Sequence, residues 1–150
     1  MFKNVLVPTD GSATALRAAH ECAALLTANP ELKVTVVLAI APLTPEQTDY
    51  AEETINNINT RMQSQAEAAL AATCRAFSEN GITCETKVIQ GDPVSRAIAD
   101  ESVQGKYDLI VMGSRGMGMQ KNDLHYLGSV TEHTIRRVSI PVLVVPTHKG

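Results

Sequence analysis

Tryptophan is absent from this chain, and two phenylalanines and three tyrosines are the only aromatics in its 150 residues. Proteins that hold single-stranded nucleic acid stack bases on aromatic platforms, and duplex binders present a basic stripe. With 13 Lys and Arg against 16 Asp and Glu, the net charge is −3. Neither footprint is present, and no nucleic acid is expected as a main partner. Long hydrophobic runs are missing too. None approaches the ~20 residues of a bilayer span, so no membrane is expected as a partner. The opening MFKNVLVPTDGS has no charged head, apolar middle or small-residue cleavage site, and a cytoplasmic protein is expected. Cysteine is sparse: Cys22, Cys74 and Cys84 are far apart and form no CxxC pair. An odd, unpaired set predicts reduced thiols packed in a core. His20, His125, His133 and His148 show no ligand spacing, so no metal site is expected from the protein alone.

What is present is ordinary for a soluble globule: 44% hydrophobic and 19% charged residues, enough chain for one domain over residues 1–150. NVLVP (4–8), KVTVVLAIAP (33–42), ITCETKVI (82–89), YDLIVMG (107–113) and IPVLVVP (140–146) read as five strands. Between them, ATALRAAHECAALL repeats apolar residues at helical spacing. A long stripe from about Pro45 to Asn80 runs through Ile55, Ile58, Met62, Ala66, Ala69, Leu70, Thr73 and Phe77. Its early part, INNINT, has poor helix propensity and is expected to fray. Asp92 reads as an N-cap and Pro93 as the first residue of a third helix ending near Val103, and a fourth starts near Ser129. Strands alternating with helices predict an α/β, single-domain, doubly wound parallel sheet with helices on both faces.

In such sheets a ligand sits beyond the carboxyl ends of the strands, where strand order reverses. Two loops at carboxyl ends are rich in glycine and hydroxyls: PTDGS after the first strand, and GSRGMG with the later GS after the fourth. Gly113, Gly116 and Gly118 let backbone N–H groups approach an anion without a Cβ in the way. Gly128 and Ser129 open a helix whose first N–H groups favour negative charge, and Arg115, Lys121 and His125 add positive charge. SVTE (129–132) is also a capping box. Ser129 as helix cap and Ser129 as phosphate contact therefore both stand, as do glycines that merely permit turns and cations that are merely solvated. TDGSAT is not a dinucleotide fingerprint, and GSRGMGMQK is not a Walker loop. No second carboxylate stands near Asp10 to support a phosphoryl-accepting aspartate, and no Ser-His-Asp or Cys-His arrangement is legible.

NVLVPTDGS, DLIVMGSRG, GSVTEHTIRR and PVLVVP together resemble the universal stress protein family over roughly residues 2 to 147. The resemblance implies a five-stranded parallel sheet in the order 3-2-1-4-5, which would bring both loops to one switch point. It implies homodimers through the last strand, here Pro141–Val145. The nucleotide-binding branch carries a G-x2-G-x9-G-[S/T] signature around the ATP phosphates, and Gly113, Gly116, Gly128 and Ser129 match its anchors. By the same resemblance Pro8, Thr9 and Asp10 would surround adenine and ribose, with Mg²⁺ carried by the nucleotide near Asp10. Ile40 would wall the base, Met112 and Val130 would complete the site, and Arg115 would join the phosphate contacts. Eleven residues rather than nine separate Gly116 from Gly128, which puts in question whether Gly118, Lys121, His125 or Tyr126 reach the phosphates or block them. Surface loops take two extra residues at small entropic cost.

Three readings remain open. The first is an adenine-nucleotide-binding stress protein, a sensor or adaptor for an unknown protein partner, loaded with ATP (or ADP or AMP). It has no catalytic residue and little or no hydrolysis, because no general base or catalytic lysine stands beside the cradle. The second is a dimeric stress protein that no longer binds nucleotide and works through protein–protein contacts. The third is a slow ATP-hydrolysing or adenylyl-transferring enzyme.

Overall fold

The computed structural model describes residues 2–27, 29, 31–114 and 127–146. Five strands, β1 (Asn4–Pro8), β2 (Lys33–Ile40), β3 (Thr83–Gln90), β4 (Leu109–Gly113) and β5 (Val142–Val145), form one parallel sheet in the order β3-β2-β1-β4-β5. Helices α1 (Ala13–Leu26), α2 (Glu52–Ser78), α3 (Val94–Gln104) and α4 (Ser129–Arg137) connect them. Each crossover returns the chain to the same end of the sheet, which is why every strand pair is parallel.

Alternation along β1 splits the core in two. Val5 and Val7 face a cluster with Ala19, Cys22 and Ala23 of α1 and Leu70, Ala76 and Phe77 of α2. Leu6, between them, faces the opposite cluster with Ile98 of α3, Ile110 and Met112. α4 packs beside α3 on that second face. The central strands are buried on both faces and read as unbroken apolar runs.

Several element ends differ from the sequence reading. The long helix starts at Glu52, because Pro45–Gln47 forms a separate 3₁₀ turn in which Gln47 Oε1 accepts from the Thr44 amide. The poor helix former Asn59 has a task of its own. Its side chain accepts from Leu43 N at 2.8 Å and donates to Leu43 O at 2.9 Å, clamping the incoming chain to α2. Asp92 does not cap α3. Pro93, in extended conformation after a cis Asp92–Pro93 bond, takes the N-cap position, and its carbonyl accepts from Arg96 N.

Ser129 does not cap α4 either. Gly128 is the N-cap residue, Ser129 is the first helical residue, and Glu132 pairs with Arg136 at 2.9 Å rather than reaching back. β4 begins at Leu109, and Asp108 just before it accepts through its carboxylate from the amides of Lys3 and Asn4 at the start of neighbouring β1.

The cysteine expectation needs the largest correction. Cys74 in α2 and Cys84 in β3 are joined by a disulfide with Cα atoms 5.8 Å apart, within bridging range. The parallel crossover delivers two residues ten apart in sequence to one corner, which spacing alone did not reveal. Cys22 is a buried free thiol, as expected, and its burial pushes the pKa up to about 12.

Candidate functional site

The reversal of strand order lies between β1 and β4, which pair through Val5↔Leu109 and Leu6↔Ile110. Their carboxyl ends carry the two small-residue loops singled out in the sequence. At the first, Thr9 N donates to Val37 O at 2.8 Å, so the chain stays beside β2 past the end of β1. Thr9 Oγ1 then accepts from Gly11 N, and Asp10 Oδ1 accepts from Ser12 N at 2.9 Å. These two bonds hold the turn in one shape and leave the Asp10 side chain exposed. Gly11 takes φ +80°, a region favouring glycine, and a Cβ there would stand 3.2 Å from the Ala69 Cβ of α2. Ser12 caps α1 through its hydroxyl, which accepts from Ala15 N.

At the second loop the chain leaves β4 at Gly113–Ser114 and returns at Gly128–Ser129, and the two points are bound together. Gly128 N donates to Ser114 O at 2.8 Å, Thr131 Oγ1 donates to Gly113 O at 2.9 Å, and Ser114 N donates to Val145 O of β5 at 2.9 Å. The intervening length therefore does not prevent the outer anchors from converging. Three consequences follow for the expected site residues. Gly128 is buried and its N–H is already engaged, so the first turn of α4, from Ser129 onward, is the part that can meet an anion. Ser129 is exposed, with Oγ 3.4 Å from His133 Nδ1, and Val130 is 40% exposed beside it. The helix N-terminus brings partial positive charge to that surface.

The remaining positions divide. Pro8 ends β1 and Ile40 ends β2, both on the crevice side of the sheet by strand polarity. Met112 is buried in the α3-side core at 5% exposure, next to Gly113. Arg115, Gly116, Gly118, Lys121, His125 and Tyr126 lie outside the described residues. Thr131 and Ser114, which fasten the neck, were missed in the sequence. The available signal was weak: a hydroxyl residue two positions after the GS pair and another after the strand's last glycine.

Among the described residues no group of three or more His, Cys, Asp or Glu is placed to hold a metal ion, and no helix is long and apolar enough to cross a membrane. An open polar recess along one face of α2, lined by Asn56, Asn59, Thr60, Gln63, Ser64 and Glu67, contains none of the expected site residues. On the α3 side, buried Glu101 accepts from Lys87 Nζ at 2.8 Å and from the Tyr107 hydroxyl at 3.1 Å. The Glu101 hydrogen bond raises the Lys87 pKa, and burial raises that of Tyr107. Both of these hydrogen bonds are internal to the domain, as in a structural ion pair.

The model of the Universal stress protein family matches residues 1–146. A universal stress protein from Thermus aquaticus, from the QAH/OAS sulfhydrylase 3′ region, is 32% identical over 146 residues, spanning 97% of this chain and 99% of its own. Among solved structures, protein MJ0577 of Methanocaldococcus jannaschii superposes with a TM-score of 0.82 at 29% identity, covering 100% of this chain and 99% of its own. A universal stress protein in complex with cAMP superposes with a TM-score of 0.72 at 26% identity, covering 98% of this chain and 99% of its own.

Proposed function

From the premise that this chain belongs to the universal stress protein family, we propose that it binds an adenine nucleotide at the β1/β4 switch point and acts as a sensor or adaptor. The observation that carries this reading is the fastened neck. Gly113–Ser114 and Gly128–Ser129 meet at the carboxyl end of β4, leaving the first turn of α4 and the exposed Asp10 turn at the same end of the sheet. That arrangement suits phosphate at the helix N-terminus and ribose near Asp10, and the cAMP complex of a 26% identical relative supports the ligand class.

These residues divide the work by chemistry. Ser129 and the first-turn amides contact phosphate, Ile40 and Val130 supply apolar surface for the base, and Thr9 and Asp10 hold the sugar side. Met112 contributes its backbone, its side chain being in the core. ATP is the ligand we assign, with Mg²⁺ held by the phosphates and the Asp10 carboxylate, a sparse donor set that suits this ion. Arg115 and Gly116 are assigned to the phosphates with it. The protein resides in the cytoplasm, turns ATP over slowly or not at all, and passes the loaded state to a protein partner.

It pairs as a homodimer through Pro141–Val145. Among the described residues no strand lies beside the outer edge of β5, and Leu143 on that strand is 38% exposed, the open edge that a second copy can cover.

The test is backbone amide NMR with added ATP and Mg²⁺. Shifts are expected at Thr9–Gly11, Ile40, Gly113 and Ser129–Thr131, with little release of inorganic phosphate over hours. Shifts confined to the Asn56–Glu67 face of α2, or none in the folded dimer, would remove the reading. Rapid phosphate release would favour the enzyme.

A further inference from the structure

The three cysteines fall into two chemical groups. Cys22 is fully buried between α1 and the sheet, and burial holds its thiol protonated. Cys74 and Cys84 are only partly buried at the rim of the same cluster, where small reagents reach them. They join α2 to β3, the strand at one edge of the sheet.

The corner between them is also held without sulfur. Asn80 N and Ile82 N both donate to Phe77 O, at 2.9 and 3.1 Å, and Gly81 N donates to Ser78 O at 3.0 Å. The Asn80 side chain donates to Ala76 O at 2.8 Å, Gly81 turns the chain at φ +76°, and Cys84 sits in register with Val34 of β2. These bonds keep the two sulfurs adjacent in the reduced protein as well, so the second thiol reacts at high effective concentration.

We propose that Cys74 and Cys84 form a reversible dithiol–disulfide couple, a redox-modification site that adds or removes a covalent tie between the last turns of α2 and edge strand β3. The oxidising co-reactant is a low-molecular-weight disulfide, RSSR. One protein thiolate attacks it; a protein–S–S–R bond forms, the RS–SR bond breaks and one RS⁻ leaves. The second protein thiolate then attacks the protein sulfur of that mixed disulfide; the Cys74–Cys84 bond forms and the second RS⁻ leaves. Two electrons pass from the protein dithiol to RSSR, and the two thiol protons end on the released RSH molecules. The oxidised form constrains the unfolded chain through a short ring, so reduction lowers Tm by roughly 6–12 °C.

The experiment equilibrates the intact protein in mixtures of reduced and oxidised dithiothreitol, traps free thiols with iodoacetamide and locates the label by mass spectrometry. Cys74 and Cys84 are expected to become labelled together as the mixture turns reducing, while the circular dichroism stays native and Cys22 is labelled only after denaturation. Reoxidation should restore both mass and Tm. Cys22→Ala should behave identically, and Cys84→Ala should show the lower Tm with no redox response. Labelling of both residues in fully oxidised buffer, release of the bridge only on unfolding, or a redox response that survives in Cys84→Ala would each overturn the proposal.

Discussion

Replacing Ser129 by aspartate separates ligand binding from folding at the residue where the two coincide. Ser129 is the first helical residue of α4, exposed, behind an N-cap glycine that has no side chain to offer. A carboxylate in the first turn complements the helix dipole by ~0.3–1 kcal/mol, so Ser129→Asp should fold as well as the parent or slightly better. A bound phosphate meets the same carboxylate as a like charge. At a separation of about 5 Å and an effective dielectric between about 20 and 80, the repulsion is ~1–3 kcal/mol per unit charge. Affinity for ATP should therefore fall roughly 5- to 150-fold. Calorimetric titration and thermal melts on the same preparation measure both quantities. Because the effect is electrostatic and near the surface, the loss should shrink when salt is raised well above about 0.1 M. Ser129→Ala is the control: with Gly128 as N-cap, its stability should stay within about 0.5 kcal/mol of the parent. Unchanged affinity in a well-folded Ser129→Asp protein would show that no phosphate sits at the α4 N-terminus.

Thr131→Val removes the hydroxyl that bonds Gly113 O across the neck; stability should drop by ~1–2 kcal/mol, or Tm by roughly 3–6 °C, with weaker ATP binding. A melt unchanged within 1–2 °C, as estimated from the same scaling, would show that the neck does not depend on this bond. Gly105→Ala drives a Cβ into one edge of the Tyr107 ring, whose hydroxyl is bonded to Glu101, so the ring must shift; a loss of ~1–3 kcal/mol in urea unfolding is expected. Alkaline pH should destabilise the fold. Cys22, Lys87 and Tyr107 all hold their protons more tightly folded than unfolded, so the unfolded chain releases protons first as pH rises. For Cys22 the window opens at its ordinary 9.0 and closes at about 12. Each pH unit inside it costs roughly 1.4 kcal/mol, a slope that Cys22→Ala should reduce in urea titrations at pH 8 to 10.5. Leu143→Lys puts a charge on the open edge of β5 and should yield monomers by analytical ultracentrifugation, whereas an unaltered dimer would place the interface elsewhere.

The strands were legible because their apolar runs are short, β-branched and ended by proline or glycine, and the paired loops at β1 and β4 were legible because glycine and hydroxyls interrupt that pattern. Strand order was not. Adjacency of β1 and β4 depends on which way each crossover turns, and only the family resemblance supplied it. Caps misled at two helices for one reason: Asp92–Pro93 and Ser129-x-x-Glu132 carry capping residues, yet the chain enters each helix one residue away from where those side chains could act. Asn59 looked like a weak helix residue because its bonds to Leu43 cross sixteen residues of sequence. The Cys74–Cys84 pair was invisible for a similar reason, since contact across a helix–strand corner leaves no local spacing signal. At the site, the small residues announced themselves, whereas Thr131 and Ser114 are ordinary residue types whose role appears only when the neck closes.

Calorimetric titration of the nucleotide-free protein with ATP and Mg²⁺, alongside GTP and AMP, tests the central claim most directly. Saturable binding of ATP, with GTP much weaker and Ser129→Asp impaired, is the result that a phosphate cradle at the β4–α4 neck predicts. A folded protein that takes up no adenine nucleotide would contradict it, and the small residues at the neck would then be turn-formers alone.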